Sequence, residues 1–275
     1  MRKNLELELE CDRALVTKAT HQYTTYPLRL SKLFRFASES SQQAYVYLLN
    51  TSPGLLAGDQ LDLSLELNQA TQLYFTDQSA TKVHRMPQLG TKASTHLKIV
   101  VKENASLEFV PEPLILFEDS ALEQTTKIEL HESSSLFWSE IFLPGRLARG
   151  EYYSFRSYCS RLELYSPEQE LWFCDATHLE GKNNLFAHDS LFVEQAILAN
   201  IVLVQPKIEL AKLKRQLKLI DHPNVAVASC DLPDSKGLLI RLMANKTSDI
   251  KKYRHSALNS IRHLSDRQSL PHIPK

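Results

Sequence analysis

"LKIVVKENASLEF" (residues 97–109) is the stretch whose reading decides the fold. Leu97, Ile99 and Val101 occupy every second position, which puts them on one face of a strand, and after the polar turn "KENAS" the alternation resumes at Leu107 and Phe109. The unit recurs along the chain. Ile99, Val101, Leu107 and Phe109 match Ile128, Leu130, Leu136 and Trp138 at an offset of 29, and Leu65, Leu67, Leu73 and Phe75 at an offset of 34. A looser fourth copy has Leu162, Leu164, Leu171 and Phe173. Each copy is a strand, a polar turn ("NQAT", "KENAS", "HESSS", "SPEQE") and a second strand, so neighbouring copies would stack on one shared core. A plain series of hairpins would give the same spacing, and both arrangements stay open at this point.

Outward from that stretch, alternation continues from the N-terminus to about residue 204 and then gives way to helical spacing. "KIELAKLKRQLKLI" (207–220) sets Leu210, Leu213, Leu217 and Ile220 on one helical face. A strand pair, "VAVAS" and "GLLIRLMA", follows. "SDIKKYRHSALNSIRHL" (248–264) carries a second stripe of Ile250, Tyr253, Ala257, Ile261 and Leu264, with Ser248 as the N-cap candidate, and the proline-rich "PHIPK" ends it. The expectation is one mainly-β domain over 1–275, with stacked β-sheets or a β-superhelix over about 1–204 and two α-helices in a C-terminal part of about 205–275.

With 43% hydrophobic residues the chain can bury a sizeable core. Lys plus Arg and Asp plus Glu both total 32, so no net field favours nucleic acid or an anionic membrane. Cys11, Cys159, Cys174 and Cys230 lack C-x-x-C spacing, no signal peptide precedes the first strand pattern, and no apolar run approaches the roughly 20 residues of a membrane helix. A cytoplasmic protein acting through local recognition is the expectation.

Four segments concentrate polar chemistry. "SPGLLAGD" (52–59) is no phosphate loop, because Asp59 stands where a cation is needed; it reads as a turn on Gly54 and Gly58 or as a site using the Asp59 carboxylate. "TDQSATKVHR" (76–85) follows a strand pattern, where recognition loops tend to sit. "WSEIFLPGRLARGE" (138–151) holds Glu140, Arg146, Arg149 and Glu151 around Pro144-Gly145, either an acid/base pair on a β scaffold or a salt-bridged corner. "CDATHLEGKNNLFAHD" (174–189) gathers Cys174, His178, Glu180, His188 and Asp189, but Cys-x3-His-x9-His fits no common zinc pattern, and His178 and His188 are only weak metal candidates.

"LLNTSPGLLAGDQLDLSLEL", "LYFTDQSATKVHRMP", "LEFVPEPLILFEDSALEQTTKIEL", "WSEIFLPGRLARGE" and the terminal "PHIP" occur in an order and spacing that resembles UreD (also called UreH), the urease accessory protein family, over roughly residues 10–275. The resemblance implies a non-enzymatic chaperone with a stacked β-superhelix and two late helices. It implies a scaffold that binds the urease structural subunits and, with UreF and the GTPase UreG, passes Ni²⁺ to urease in a hetero-oligomeric complex. No tightly bound cofactor is implied, only Ni²⁺ in transit.

Carried over residue by residue, Pro53, Gly54, Gly58 and Asp59 match the family's glycine-rich turn. Thr76, Gln78, Ala80, Thr81, Lys82 and Arg85 match its threonine-glutamine-to-lysine segment, and Pro111, Ile115 and Phe117 the strand after it. Glu140, Gly145, Arg146, Gly150 and Glu151 match its Glu…Gly-Arg…Gly-Glu segment. His84 stands where the family usually has an aromatic residue, and Leu55 where it usually has a second glycine.

A cation in transit passes best along carboxylates, hydroxyls and carbonyls that hold it less tightly than its destination does. On this reading Asp59, Glu140 and Glu151 supply negative potential along an internal polar path, and Arg146 and Lys82 orient them. The competing readings are a carbohydrate-active enzyme using Glu140 and Glu151, and a β-repeat interaction scaffold without metal traffic.

Overall fold

The computed structural model describes residues 3–36, 42–181 and 196–274. In chain order its strands are β1 (Leu5–Cys11), β2 (Thr17–Thr24), β3 (Leu28–Leu30), β4 (Gln43–Asn50), β5 (Gln60–Leu67), β6 (Gln72–Asp77), β7 (Thr81–Val83), β8 (Ala93–Val101), β9 (Ser106–Phe109), β10 (Leu114–Leu116), β11 (Ala121–Leu130), β12 (Ser135–Leu143), β13 (Ser157–Tyr165), β14 (Leu171–Leu179) and β15 (Ile197–Val204). Helix α1 (Leu210–Lys218), strands β16 (Val225–Asp231) and β17 (Leu238–Ala244) and helix α2 (Thr247–Leu264) follow. The fold is mainly β, with stacked sheets and two helices near the C-terminus, as the alternation and the two late stripes imply.

The recurring unit is an arch. In three of the four copies the strands flanking the polar turn lie in different sheets: β5, β8 and β11 in one, β6, β9 and β12 in the other. Successive copies pair parallel, with Leu65 opposite Ile99 and Ile99 opposite Ile128 in the first sheet, and Leu73 opposite Leu107 and Leu107 opposite Leu136 in the second. The offsets of 34 and 29 are therefore the lengths of two solenoid coils, and the hairpin alternative is set aside for these copies. The turns stack as well, for the amide of Ala70 donates to the Glu103 carbonyl at 3.0 Å and that of Ser135 to the Ala105 carbonyl at 3.0 Å.

The fourth copy departs from the expectation. In the first sheet Ile128 lies opposite Leu164 rather than Leu162, and β14 turns back antiparallel to β13 within that sheet. Here the chain makes a true hairpin, and the coil ends. The first sheet runs β14-β13-β11-β8-β5-β1-β2 and the second β16-β17-β15-β12-β9-β6-β4-β3. Strands β15 to β17 thus extend the second sheet antiparallel, so the C-terminal part is built onto the body's own sheet.

One core fills the space between the sheets and a second lies between the second sheet and the helices. At the centre of the first, Phe75, Phe109 and Trp138 occupy equivalent positions in three coils and stack with centroids 5.3 and 4.2 Å apart. Each such contact adds about 0.5–1.5 kcal/mol beyond area burial. In the second core α2 buries Ile250, Tyr253, Ala257 and Ile261, and α1 buries Leu213 and Leu217. Helix α1 is shorter than its apolar spacing implied, and Lys246 rather than Ser248 caps α2, without a side-chain hydrogen bond. Arg262 of α2 is buried with Glu108 of β9, its Nε 3.0 Å from the carboxylate, and also donates to Gln43 at 2.7 Å.

Candidate functional site

The coils have a short third side, and three of the four polar segments quoted above, 52–59, 76–85 and 138–151, come together there. Leu55 bridges Val83 in parallel, β7 pairs parallel with β10, and β10 pairs parallel with the end of β12. The amide of Leu55 donates to the Lys82 carbonyl at 2.8 Å, that of Thr81 to Pro113 at 3.0 Å and that of Phe117 to Val83 at 3.0 Å. Three segments distant in sequence are thereby in register along one corner.

Close approach sets the glycines. A Cβ on Gly54, whose φ is +150°, would lie 2.4 Å from the Lys82 carbonyl oxygen and 2.9 Å from the His84 ring, so only glycine lets the coils close here. Gly145 meets the backbone of Glu151 in the same way, at 2.3 Å. His84 hydrogen-bonds the Pro53 carbonyl at 3.0 Å and sets its ring edge-on to Phe117 at 5.0 Å, so it packs at the corner as an aromatic ring would. The Arg146 guanidinium lies 4.4 Å over Phe117 and its Nε is 2.9 Å from both oxygens of Glu151. That hydrogen-bonded guanidinium holds the Glu151 carboxyl below its usual range despite burial. Arg85 pairs with Asp119 at 3.0 Å.

The remaining candidates are dispersed. Asp59 accepts from the Leu56 amide at 2.8 Å and closes its own turn. Thr76 is buried and donates to the Val110 carbonyl at 2.6 Å. Gln78 and Lys82 are exposed, and Lys82 forms no ion pair with a described residue. His178 lies exposed on β14, His188 lies outside the described residues, and among the described residues no three His, Cys, Asp or Glu side chains group as a metal-binding set.

A second constellation lies inside the solenoid. Trp138, Glu140 and Phe142 alternate inward along β12, so Glu140 points between the sheets. It lines a cavity of about 180 Å³ bounded by apolar side chains including Leu63, Leu97, Phe109 and Trp138, with Thr95, Gln124 and Thr126 on the facing sheet. The register places Thr95, Gln124 and Ser160 side by side in the first sheet and Glu140, Asn200 and Arg241 side by side in the second. Gln124 donates to Glu140 at 3.3 Å and Asn200 at 2.9 Å, while Arg241 donates to Asn200 at 3.0 Å and to Asp175 at 2.7 Å. Asp77 and Glu112 line the same cavity, the Glu112 amide donating to Asp77 at 3.2 Å. From α2, Lys251 pairs with Glu112 and Arg254 donates to the Pro111 carbonyl at 2.7 Å.

Polar side chains of both sheets therefore line one cavity in an otherwise apolar interior, and of Asp59, Glu140 and Glu151 only Glu140 lines it. Burial raises the Glu140 carboxyl, with Asp175 adding to the effect, against the hydrogen bonds from Asn200 and Gln124 and the charge of Arg241. The cavity offers a cation the carboxylates of Glu140, Asp77 and Glu112 together with hydroxyls, and among the described residues these do not group as a closed metal-binding set.

Asn200, Arg241, Asp175 and Gln124 went unnoticed in sequence. Their signal was parity: Asn200 in "ILANIVLV" and Gln124 in "ALEQTTKIEL" are polar residues at inward positions of otherwise apolar strand faces.

Comparison with known proteins gives a consistent result. The family model described as "UreD urease accessory protein" matches residues 2–275. The chain is 54% identical over 275 residues to the urease accessory protein UreD of Trichodesmium erythraeum (strain IMS101), covering 99% of both chains. It is 27% identical to UreD of Lysinibacillus sphaericus (strain C3-41), over 90% of this chain and 91% of that one. It is 36% identical to the urease accessory protein UreH of Helicobacter pylori (strain G27), over 67% of this chain and 69% of that one.

Proposed function

This chain belongs to the UreD family of urease accessory proteins, and on that premise we propose that it is a cytoplasmic scaffold that docks apo-urease and, with UreF and UreG, lets Ni²⁺ reach the urease site through its own interior. The metal is cargo, and the chain is not a catalyst. The observation that carries this reading is the polar layer between the sheets, in which Glu140 is held in a cavity by two amides.

A buried carboxylate is costly unless it is paired, and among the described residues its hydrogen bonds come from the neutral amides of Gln124 and Asn200. For stability alone, an apolar residue beside Trp138 and Phe142 would serve better. A passing divalent cation would supply counter-charge, and carboxylates spread around the cavity with neutral hydroxyls between them would hold it too weakly to trap it. The corner of Gly54, His84, Phe117, Arg146 and Glu151 is a rigid, internally neutralised surface, suited to docking a protein partner.

The glycosidase alternative gains no support: Glu140 faces the cavity, whereas the Glu151 carboxylate is occupied by Arg146 at the corner. Co-expression of urease subunits with the other maturation proteins, with and without this chain, tests the proposal. The expected result is nickel-poor urease when the chain is omitted. Equal nickel content would leave the plain scaffold reading.

A further inference from the structure

We infer that Arg241 is a positioning residue for cation transfer, acting through Asn200 to set the donor face that the Glu140 carboxylate meets. The inference rests on the reading of the inter-sheet layer as the cargo's route. Its basis is the order of the groups: Asp175, Arg241, Asn200 and Glu140 form an unbroken chain of hydrogen bonds of 2.7, 3.0 and 2.9 Å.

Each member of the chain fixes the next. A guanidinium only donates and a carboxylate only accepts, so an amide between them has a single satisfied orientation, Oδ1 to Arg241 and Nδ2 to Glu140. Removing Arg241 releases that constraint. The Asn200 amide is then held only by its Nδ2–H bond to Glu140, and when a cation occupies the carboxylate it can turn Oδ1 to that cation, which both groups would hold. Cargo would be retained rather than passed on.

Position strengthens the assignment. The Arg241 side chain is 48% exposed, Asp175 is 14% exposed, and Asn200 lies between them and the cavity. Asp175 is on β14, the edge of the first sheet, opposite Leu162, whose side chain is in the inter-sheet core. Arg241 on β17 thus spans the two sheets at the end of the coils, with one hydrogen bond to Asp175 of the first sheet and one to Asn200 of the second. A clasp between sheets would need only the first. The second is what reaches the site.

The test uses urease co-expressed with its full set of maturation proteins, reading nickel per urease active site. Arg241→Met is expected to lower loading by about fivefold, the factor one net hydrogen bond is worth, and Arg241→Lys to restore most of it. In a Glu140→Gln background Arg241→Met should add nothing, since both act through one carboxylate; a clasp that merely stabilises the fold would give additive losses and overturn the inference. Should Arg241→Met fail to fold, Asp175→Asn removes only the outer anchor and is expected to give a smaller loss of the same non-additive kind. Low loading in Glu140→Gln beside full loading in a folded Arg241→Met, or in Asp175→Asn, overturns this inference and leaves the route intact. Full loading in Glu140→Gln overturns the route and this inference with it.

Discussion

Gly54→Ala is the perturbation that asks most of the coil geometry. The added methyl would lie 2.4 Å from the Lys82 carbonyl oxygen, and that oxygen is backbone, fixed by the amide of Leu55 at 2.8 Å, so neither side can yield without parting two coils. Backbone strain at a φ of +150° costs about 1–3 kcal/mol. Forcing the extra carbon into a closed contact adds about 1–3 kcal/mol, and weakening the Leu55–Lys82 hydrogen bond about 1 kcal/mol more. The expected loss is about 3–7 kcal/mol from these terms together. Gly58, four residues later, is the internal control: its φ is +84° and nothing lies within 4 Å of a new Cβ. Gly58→Ala should cost only the left-handed backbone term, about 1–2 kcal/mol. Urea unfolding of both variants, followed by far- and near-ultraviolet circular dichroism, gives the comparison. Losses that agree within about 0.5 kcal/mol would refute the claim that close coil stacking is what excludes a side chain at Gly54.

Three further outcomes follow from other parts of the molecule. Arg262→Met leaves Glu108 buried with a lost partner and is expected to destabilise by about 3–5 kcal/mol, much of it recovered by adding Glu108→Leu; additive losses in urea unfolding would contradict this account of the pair. Arg146 depresses the Glu151 carboxyl from its ordinary value of 4.5, so the pair's stabilisation is fully present above that pH and lost as pH falls through the depressed folded value. The melting-temperature advantage of wild type over Glu151→Gln should therefore shrink on acidification, and an advantage that grew would reverse the sign. Ending the chain at Asn245 removes α2 and uncovers the outer face of the second sheet around Ile201, Ile240 and Leu242; such a patch should bind a hydrophobic dye and aggregate, and a monodisperse, native-like product would show that α2 is dispensable.

The solenoid was legible because its coils repeat their own apolar positions. Leu65, Ile99 and Ile128 align in sequence for the reason they align in space, each filling the same place in the inter-sheet core. What the spacing could not say was whether the strands on either side of "KENAS" pair with each other or with their neighbours in the next coil, since alternation is the same in a hairpin and an arch. Only the register separates them, and it separates β13-β14 from the rest.

The corner residues were legible through the resemblance, and the structure explains their company: Gly54, His84, Phe117 and Arg146 are neighbours because coil lengths differ little. The inner layer was harder. Glu140 stood out as a charge, but Asn200 and Arg241 sit on later strands that join the second sheet antiparallel, and no local signal in "ILANIVLV" or "GLLIRLMA" tells which residue they will face. Asp59 and Glu151 carry the same charge as Glu140 in sequence, yet Asp59 closes its own turn and Glu151 is taken up by Arg146 at the corner.

The most direct measurement is nickel per urease after co-expression with Glu140→Gln, paired with size-exclusion analysis of the accessory complex. The substitution keeps the side chain's size beside Gln124 and Asn200, removes its charge and turns one of its two acceptors into a donor. The account predicts normal assembly of the complex with nickel-poor urease. Normal assembly with fully loaded urease would contradict it.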